Sequence, residues 1–364
     1  MIKSLQISGY KLFDHLSISR FGRLNLFVGE NNTGKSCLLE AIGLYAGRSP
    51  IADIITTASK RSLERLQPWE ADNIIEAGSS LRHPVFQLFK SDETAIDGSI
   101  TIGQYEDPRP LLIRQRFHQT IIEDGLRRYV PLEPGDILED PIEMALQIYR
   151  GDEQVGLMTR RSLPLRSTSL GEKLRTHEAA VVAHVPAFGF SDEQAAAMWD
   201  GLVQGPGQEQ VLDLLRIIDP SIQDLVYIAG RMDRRIALLK LRNASRVPLR
   251  SMGDGLTRLF HIGLAIASSG FGILLIDEFE NGLHWKAQEK VWIALAKATR
   301  DLHMQVFATT HSRDCIESFV TASATVELAD SSIYRLERLK GEVFATELPM
   351  VNVDAALHQN SEVR

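Results

Sequence analysis

Short, nearly unbroken apolar runs divide this chain into segments of helical or alternating pattern. Leu24-Asn25-Leu26-Phe27-Val28, Ile273 to Ile276 and Gln305 to Ala308 have the form of strands buried on both faces of a parallel sheet. The opening MIKSLQISGY alternates as a strand does, and Cys37-Leu38-Leu39-Glu40-Ala41-Ile42 reads as a helix. Leu256 to Ser268 is a second helix, with Leu256, Leu259, Ile262, Gly263 and Ile266 on one face. ITIGQY and LLIRQRF flank Asp107-Pro108-Arg109-Pro110, which predicts a hairpin over 99–118. Asp192 to Ala197 and Glu209 to Leu215 are helical in pattern, so residues 121–230 are expected to form a helical insertion or lid. Ile236 to Leu241 and Arg246 to Leu249 read as a strand pair that returns the chain to the sheet. Ile333 to Arg338 and Glu342 to Leu348 make a hairpin around Lys340-Gly341, followed by a polar tail.

The expected fold is therefore α/β, a mixed sheet flanked by helices. Its predicted parts are an N-terminal portion (1–120), the helical insertion (121–230), a C-terminal portion (231–330) and a final hairpin and tail (331–364). There is no internal repeat, and no heptad pattern lasts long enough for an extended coiled coil.

Composition narrows the class. With 364 residues and 44% hydrophobic content the chain can bury a sizeable core. No apolar run approaches the ~20 residues of a spanning helix, and the N-terminus lacks a signal-peptide core, so a soluble, cytoplasmic protein without membrane contact is expected. Cys37 and Cys315 are the only cysteines and lie inside patterned elements, which suits core packing more than a disulfide or metal site. The net charge of −7 argues against indiscriminate coating of nucleic acid. Two basic segments leave local nucleic-acid contact open: Arg160, Arg161, Arg166, Lys173 and Arg175, and then Arg231, Arg234, Arg235, Lys240, Arg242, Arg246 and Arg250.

The chemistry begins at Gly29 to Ser36, GENNTGKS, a GxxxxGKS phosphate-binding pattern between a strand and a helix. Gly29 and Gly34 let successive backbone N–H groups converge on a polyphosphate, and the helix presents its positive end to the same anion. Candidate nucleotide contacts are Gly29, Asn31, Asn32, Thr33, Gly34, Lys35, Ser36 and Cys37. Lys35 places a charge on the β- and γ-phosphates, and Ser36 offers its hydroxyl to Mg²⁺. Ile273-Leu274-Leu275-Ile276-Asp277-Glu278 is an apolar strand ending in two carboxylates. Beside a phosphate loop, Asp277 would hold Mg²⁺ and Glu278 would polarise the attacking water.

Along the chain, the phosphate loop, Ser251-Met252-Gly253-Asp254-Gly255, Asp277-Glu278 and Thr309-Thr310-His311-Ser312 follow the order of ABC-type ATPases. SMGDGLTRLF, LLIDEFENGLH and QVFATTHS resemble the OLD-like branch, related to the structural-maintenance-of-chromosomes (SMC) and RecF groups. Both ends of the chain carry the resemblance, and residues 50 to 230 carry little of it. It implies a P-loop NTPase fold of ABC-ATPase type, with ATP and Mg²⁺. It also implies that Ser251, Gly253 and Gly255 face the γ-phosphate on a second subunit, so that a homodimer or higher even oligomer sandwiches two nucleotides. Asn281-Gly282-Leu283-His284 then corresponds to the D-loop, and His311 to the switch histidine, which with Glu278 and Lys35 completes the catalytic candidates. Lys11 matches a basic residue near the phosphates and Gln87 a Q-loop glutamine, with a solvent-exposed role the alternative for each.

OLD nucleases add a Toprim nuclease domain after the ATPase, and the residues beyond His311 are too few for one. Coiled-coil arms and a transporter membrane domain are not expected either. The resemblance implies an ATP-driven switch whose dimerisation controls a separately encoded effector, as in antiviral systems built on OLD-like ATPases. A RecF-like DNA-repair clamp and a nucleotide-dependent scaffold with negligible hydrolysis are the alternatives. ATP against GTP stays open, since no base-reading motif is present.

Overall fold

A computed structural model describes residues 1–59, 88–90, 98–123, 126–131, 142–159, 180–203, 205–230, 235–242, 245–270, 272–326 and 330–359. The chain opens with β1 (Leu5–Tyr10), β2 (Phe13–Ile18) and β3 (Leu24–Val28), then α1 (Lys35–Ala46) and α2 (Pro50–Ser59). Strands β4 (Ser99–Gly103), β5 (Leu111–Glu123), β6 (Leu126–Pro131), β7 (Ile142–Arg150), β8 (Glu153–Thr159) and β9 (Val182–Val185) follow. Helices α3 (Asp192–Gly201) and α4 (Gly207–Leu215) lead to β10 (Ile222–Ala229), β11 (Arg235–Leu241) and β12 (Val247–Pro248). After a 3₁₀ turn at Leu249–Met252 come α5 (Asp254–Ser269), β13 (Ile273–Ile276), α6 (Trp285–Asp301), β14 (Gln305–Thr309) and α7 (Arg313–Thr325). The chain ends in β15 (Ser331–Leu339), β16 (Glu342–Leu348) and α8 (Met350–His358).

Three sheets result. The central one runs β16-β15-β3-β14-β13-β9, parallel throughout except for the antiparallel edge strand β16. An antiparallel sheet runs β2-β1-β4-β5-β7-β8 with β6 added to β5, and β10-β11-β12 form a small third sheet. β3 is buried along its whole length because both its faces are covered. Leu24, Leu26 and Val28 belong to the core containing α5, α6 and α7, whereas Phe27 belongs to the core that holds α1 against the antiparallel sheet. The Phe27 and Phe307 rings stack at 6.2 Å, and Phe21 meets both edge-on. No helix among the described residues is long and apolar enough to cross a membrane.

The α/β architecture with a mixed sheet, the hairpin β4–β5, the parallel pair β13–β14 and the hairpin β15–β16 agree with the sequence reading. Three expectations need correction. Among the described residues of the expected helical insertion, 121–230, there is more strand than helix: the end of β5 and β6 to β9 precede the two short helices, and β10 follows them. Strands β6, β7 and β8 each mix charged and apolar residues without a clean alternation, and β5 pairs with β4 and β6 along one edge and with β7 along the other. The pair β11–β12 does not return to the central sheet but joins β10 in a sheet of its own. The expected polar tail contains α8, whose Val353 and Leu357 are buried in the core and whose Leu357 carbonyl accepts from Arg313.

Candidate functional site

Parallel register brings the sequence motifs to one edge. Ile276 lies beside Ala308 and Val185, and Ala308 beside Leu26, so β3, β9, β13 and β14 end together. The loops that follow them carry residues 29–34, 186–190, 277–284 and 310–312. Ligands of open α/β sheets sit outside these carboxyl ends.

The phosphate loop has a backbone that side chains would obstruct. Gly29 and Gly34 have φ of 142° and 94°, and a Cβ on Gly29 would meet the Leu336 carbonyl at 2.4 Å. Asn32 also has positive φ, at 63°. Thr33 Oγ1 donates to the Glu30 carbonyl at 2.9 Å, and Lys35 Nζ donates to the carbonyls of Gly29 (2.7 Å) and Glu30 (2.6 Å). Burial lowers the Lys35 ammonium from its ordinary range, while Glu280, Asp277, Glu278 and Glu30 oppose that fall. Asn31 and Asn32 are exposed, and Cys37 is buried in the apolar core, so an anion can meet its backbone N–H alone. Both cysteines are buried thiols outside any disulfide among the described residues.

Asp277 Oδ1 accepts from Ser36 Oγ at 3.0 Å and from Thr309 Oγ1 at 2.7 Å, and Thr309 Oγ1 in turn accepts from the backbone N–H of Glu278 at 2.8 Å. Hydroxyl and carboxylate oxygens of this kind suit a hard divalent ion shared with phosphate oxygens. Glu278 has φ of 48°, a conformation costly for a residue with a Cβ. Its carboxylate accepts from Asn281 Nδ2 at 2.6 Å. Its carbonyl and that of Asp277 accept from Arg258 at 3.0 and 2.6 Å, while the other guanidinium nitrogen reaches the carbonyls of Pro186 (2.5 Å) and Ala187 (3.3 Å). Arg258 thus joins α5 to the ends of β13 and β9. Phe279, stacked on Trp292 at 3.8 Å, anchors the same turn in the core.

His311 lies on the loop after β14. Its backbone N–H donates to Glu280 Oε1 at 2.9 Å, and its Nδ1 is 3.1 Å from the same oxygen. Arg258, Thr309 and Glu280 were not among the sequence candidates. Glu280 could have been found as the third carboxylate of Asp277-Glu278-Phe279-Glu280, and Arg258 as a charge leading into a helix apolar on every side.

Gly253, with φ of 95°, precedes α5, and Ser251 and Gly253 are exposed. Gly255 lies against the turn at 281–284, where its Cβ would meet the Gly282 carbonyl at 2.8 Å. Lys11 is not solvent-exposed: it forms a 2.5 Å ion pair with Glu40 in which both side chains are about nine-tenths buried. Gln87, the first basic segment, Arg231 and Arg234 lie outside the described residues. In the second segment, Arg235 pairs with Asp200 and Arg250 with Asp192. These two pairs flank a cavity of about 580 Å³, lined also by Tyr227, Phe260 and His261.

A Helicobacter pylori protein named "ATP/GTP phosphatase" is 26% identical over 327 residues, 87% of each chain. The fold is similar to that of an SMC head bound to the C-winged helix domain of ScpA, with a TM-score of 0.52 and 13% identity over 95% of this chain and 97% of that one. It is also similar to an SMC head with an extended coiled coil bound to the C-terminal domain of ScpA derived from Pyrococcus furiosus, with a TM-score of 0.50 and 12% identity over 99% of each chain. The family described as "AAA domain, putative AbiEii toxin, Type IV TA system" matches residues 24–314. With most of its length matched, including the phosphate loop, Asp277-Glu278 and His311, the chain belongs to that ATPase-domain family and has an SMC-head-like P-loop fold.

Proposed function

We propose that the protein hydrolyses ATP with Mg²⁺ as an ABC-type molecular switch whose two composite sites form when two copies meet. The chain of contacts Ser36–Asp277–Thr309–Glu278 beside the phosphate loop carries this reading. Ser36 and Asp277 would hold Mg²⁺, which supplies neutralisation of charge on the β- and γ-oxygens. Glu278 orients and deprotonates water, Lys35 holds the phosphates, and His311 meets the γ-phosphate. Glu278 has the form of a prepared base, since both its backbone and its carboxylate are tethered. Measuring steady-state phosphate release from the wild type and Glu278→Gln tests the assignment. A loss of about 10²–10⁴ in kcat is expected for removal of a general base, and equal turnover would sink it.

A second copy is invoked because Ser251 and Gly253 are exposed and a Cβ on Gly253 would meet no atom within 4 Å. The start of a sixteen-residue helix there offers N–H groups and a positive dipole end to an anion held by another molecule. ATP is the nucleotide we favour; the name of the Helicobacter pylori relative covers GTP as well, and competition between the two measures the preference. OLD-like character, cytoplasmic location and control of a separately encoded effector in antiviral defence extend the same reading through the motif resemblance.

A further inference from the structure

The turn that carries Glu278 carries a second carboxylate, Glu280, on which the environment of His311 depends. Glu280 is held in place from behind, since the intervening Phe279 stacks on Trp292 in the core. Its side chain is only 10% exposed. One oxygen, Oε1, faces two nitrogens of the same residue, the His311 backbone N–H at 2.9 Å and the ring Nδ1 at 3.1 Å. The other, Oε2, is buried with no hydrogen-bond partner among the described residues. An unpartnered buried carboxylate oxygen is costly, and such groups ask for an explanation in function.

We propose that Glu280 is a positioning residue of the hydrolytic site: by accepting from the backbone N–H and the ring Nδ1–H of His311, it fixes the tautomer and orientation of the ring, leaving Nε2 to meet the γ-phosphate. The proposal rests on the reading of the chain as an ATPase. A neutral imidazole carries one proton, and whichever nitrogen hydrogen-bonds a carboxylate must hold it. The two-point contact also restricts ring rotation, because the same oxygen grips the main chain of the residue it orients. Of the four carboxylates that sustain the charge of the buried Lys35, Glu280 acts most strongly.

A purely structural role for Glu280, as a clasp on residues 310–312, predicts different behaviour. The test combines kinetics of E280A, E280Q, H311A and E280A/H311A with ¹⁵N spectra of the histidine rings, His311 being identified by its absence in H311A. We expect E280A to lower kcat about tenfold or more with KM for ATP within about twofold, and E280Q, whose amide oxygen can accept both bonds, to recover most of the loss. The double variant should turn over as H311A does, because Glu280 acts through His311. In wild type and E280Q the His311 ring should carry its proton on Nδ1, and in E280A it should lose that preference. A further large loss in E280A/H311A relative to H311A, or an Nε2–H tautomer in the wild type, would overturn the proposal. If the wild type releases no phosphate, the ATPase reading fails, while the ring spectrum still decides what Glu280 does. If E280A does not fold, the wild-type and E280Q spectra decide it.

Discussion

Two buried residues on α5 show how single side chains govern this site. Arg258 spends its guanidinium on four carbonyls, those of Pro186, Ala187, Asp277 and Glu278. Burial pulls it down to about 10, against the opposing pull of Asp277, Glu280 and Glu278, so it is still a cation at neutral pH. Arg258→Met should cost roughly 3 kcal/mol or more in urea unfolding, since it strands buried acceptors of charge-assisted bonds. Arg258→Lys should lose less stability and still lower ATPase turnover, because a point charge cannot bridge two loops as a planar fork does. His261, less than a turn further on, is buried and pushed down to about 4 by desolvation and by Arg258. Its Nδ1 accepts from the Phe190 N–H at 3.2 Å, which the neutral ring allows and the cation does not. The unfolded chain takes up this proton near pH 6.5 and the folded chain does not until about pH 4, so acidification across that window favours unfolding. Between pH 7 and pH 5 the loss should be on the order of 2 kcal/mol. His261→Asn, which keeps an acceptor for Phe190, should show a markedly smaller fall in Tm over the same range.

At the scale of elements, the contact between the start of α5 and the turn after β13 decides whether two motifs act together. Gly255 lies against the Gly282 carbonyl, and Gly282, at φ of 74°, would bring a Cβ within 3.1 Å of Asp254. Gly282→Ala meets both strain and crowding. It should reduce ATPase turnover while a fluorescent ATP analogue still binds, because the phosphate loop lies on a different strand; equal turnover would show that the contact does not matter. Elements like these were legible where local pattern and local chemistry coincide. β3, the phosphate loop and α1 follow from a continuous apolar run, two glycines and a helical repeat. Glu278 was visible as a strand-end carboxylate, but its positive φ and its grip by Arg258 depend on α5 packing over β13. The strands from β6 to β8 were hidden because each is defined by a partner and not by its own composition. Lys11 was misjudged for a related reason: a lysine after Gly-Tyr looks solvated until Glu40 of α1 is folded onto it.

Across the whole molecule, parts of the phosphate loop are buried while Ser251 and Gly253, just before α5, are exposed. Gly29 lies against β15, Gly34 against Phe13, and Lys35 is buried. Ser251 and Gly253 face outward, and so, on the turn after β9, does Phe188, 98% exposed at the same edge of the central sheet. Trp285 at the start of α6 is half-exposed. Aromatic groups are the residues that most often anchor an interface. If ATP bridges two copies, association must depend on nucleotide, because the γ-phosphate would supply the contact that links Ser251 of one copy to the loop of the other. Slowing hydrolysis should then accumulate the closed form. Light scattering of Glu278→Gln should give twice the monomer mass with ATP and Mg²⁺ and the monomer mass without nucleotide, whereas the wild type should pass through the dimer and return as ATP is consumed. Ser251→Arg, placing a bulky cation where a phosphate should arrive, should leave nucleotide binding by the monomer intact and abolish the mass change. Phe188→Ser, at the rim, should weaken association without removing its dependence on ATP. A dimer that forms equally well without nucleotide would mean that these exposed surfaces meet by themselves, and that ATP acts on a complex already made.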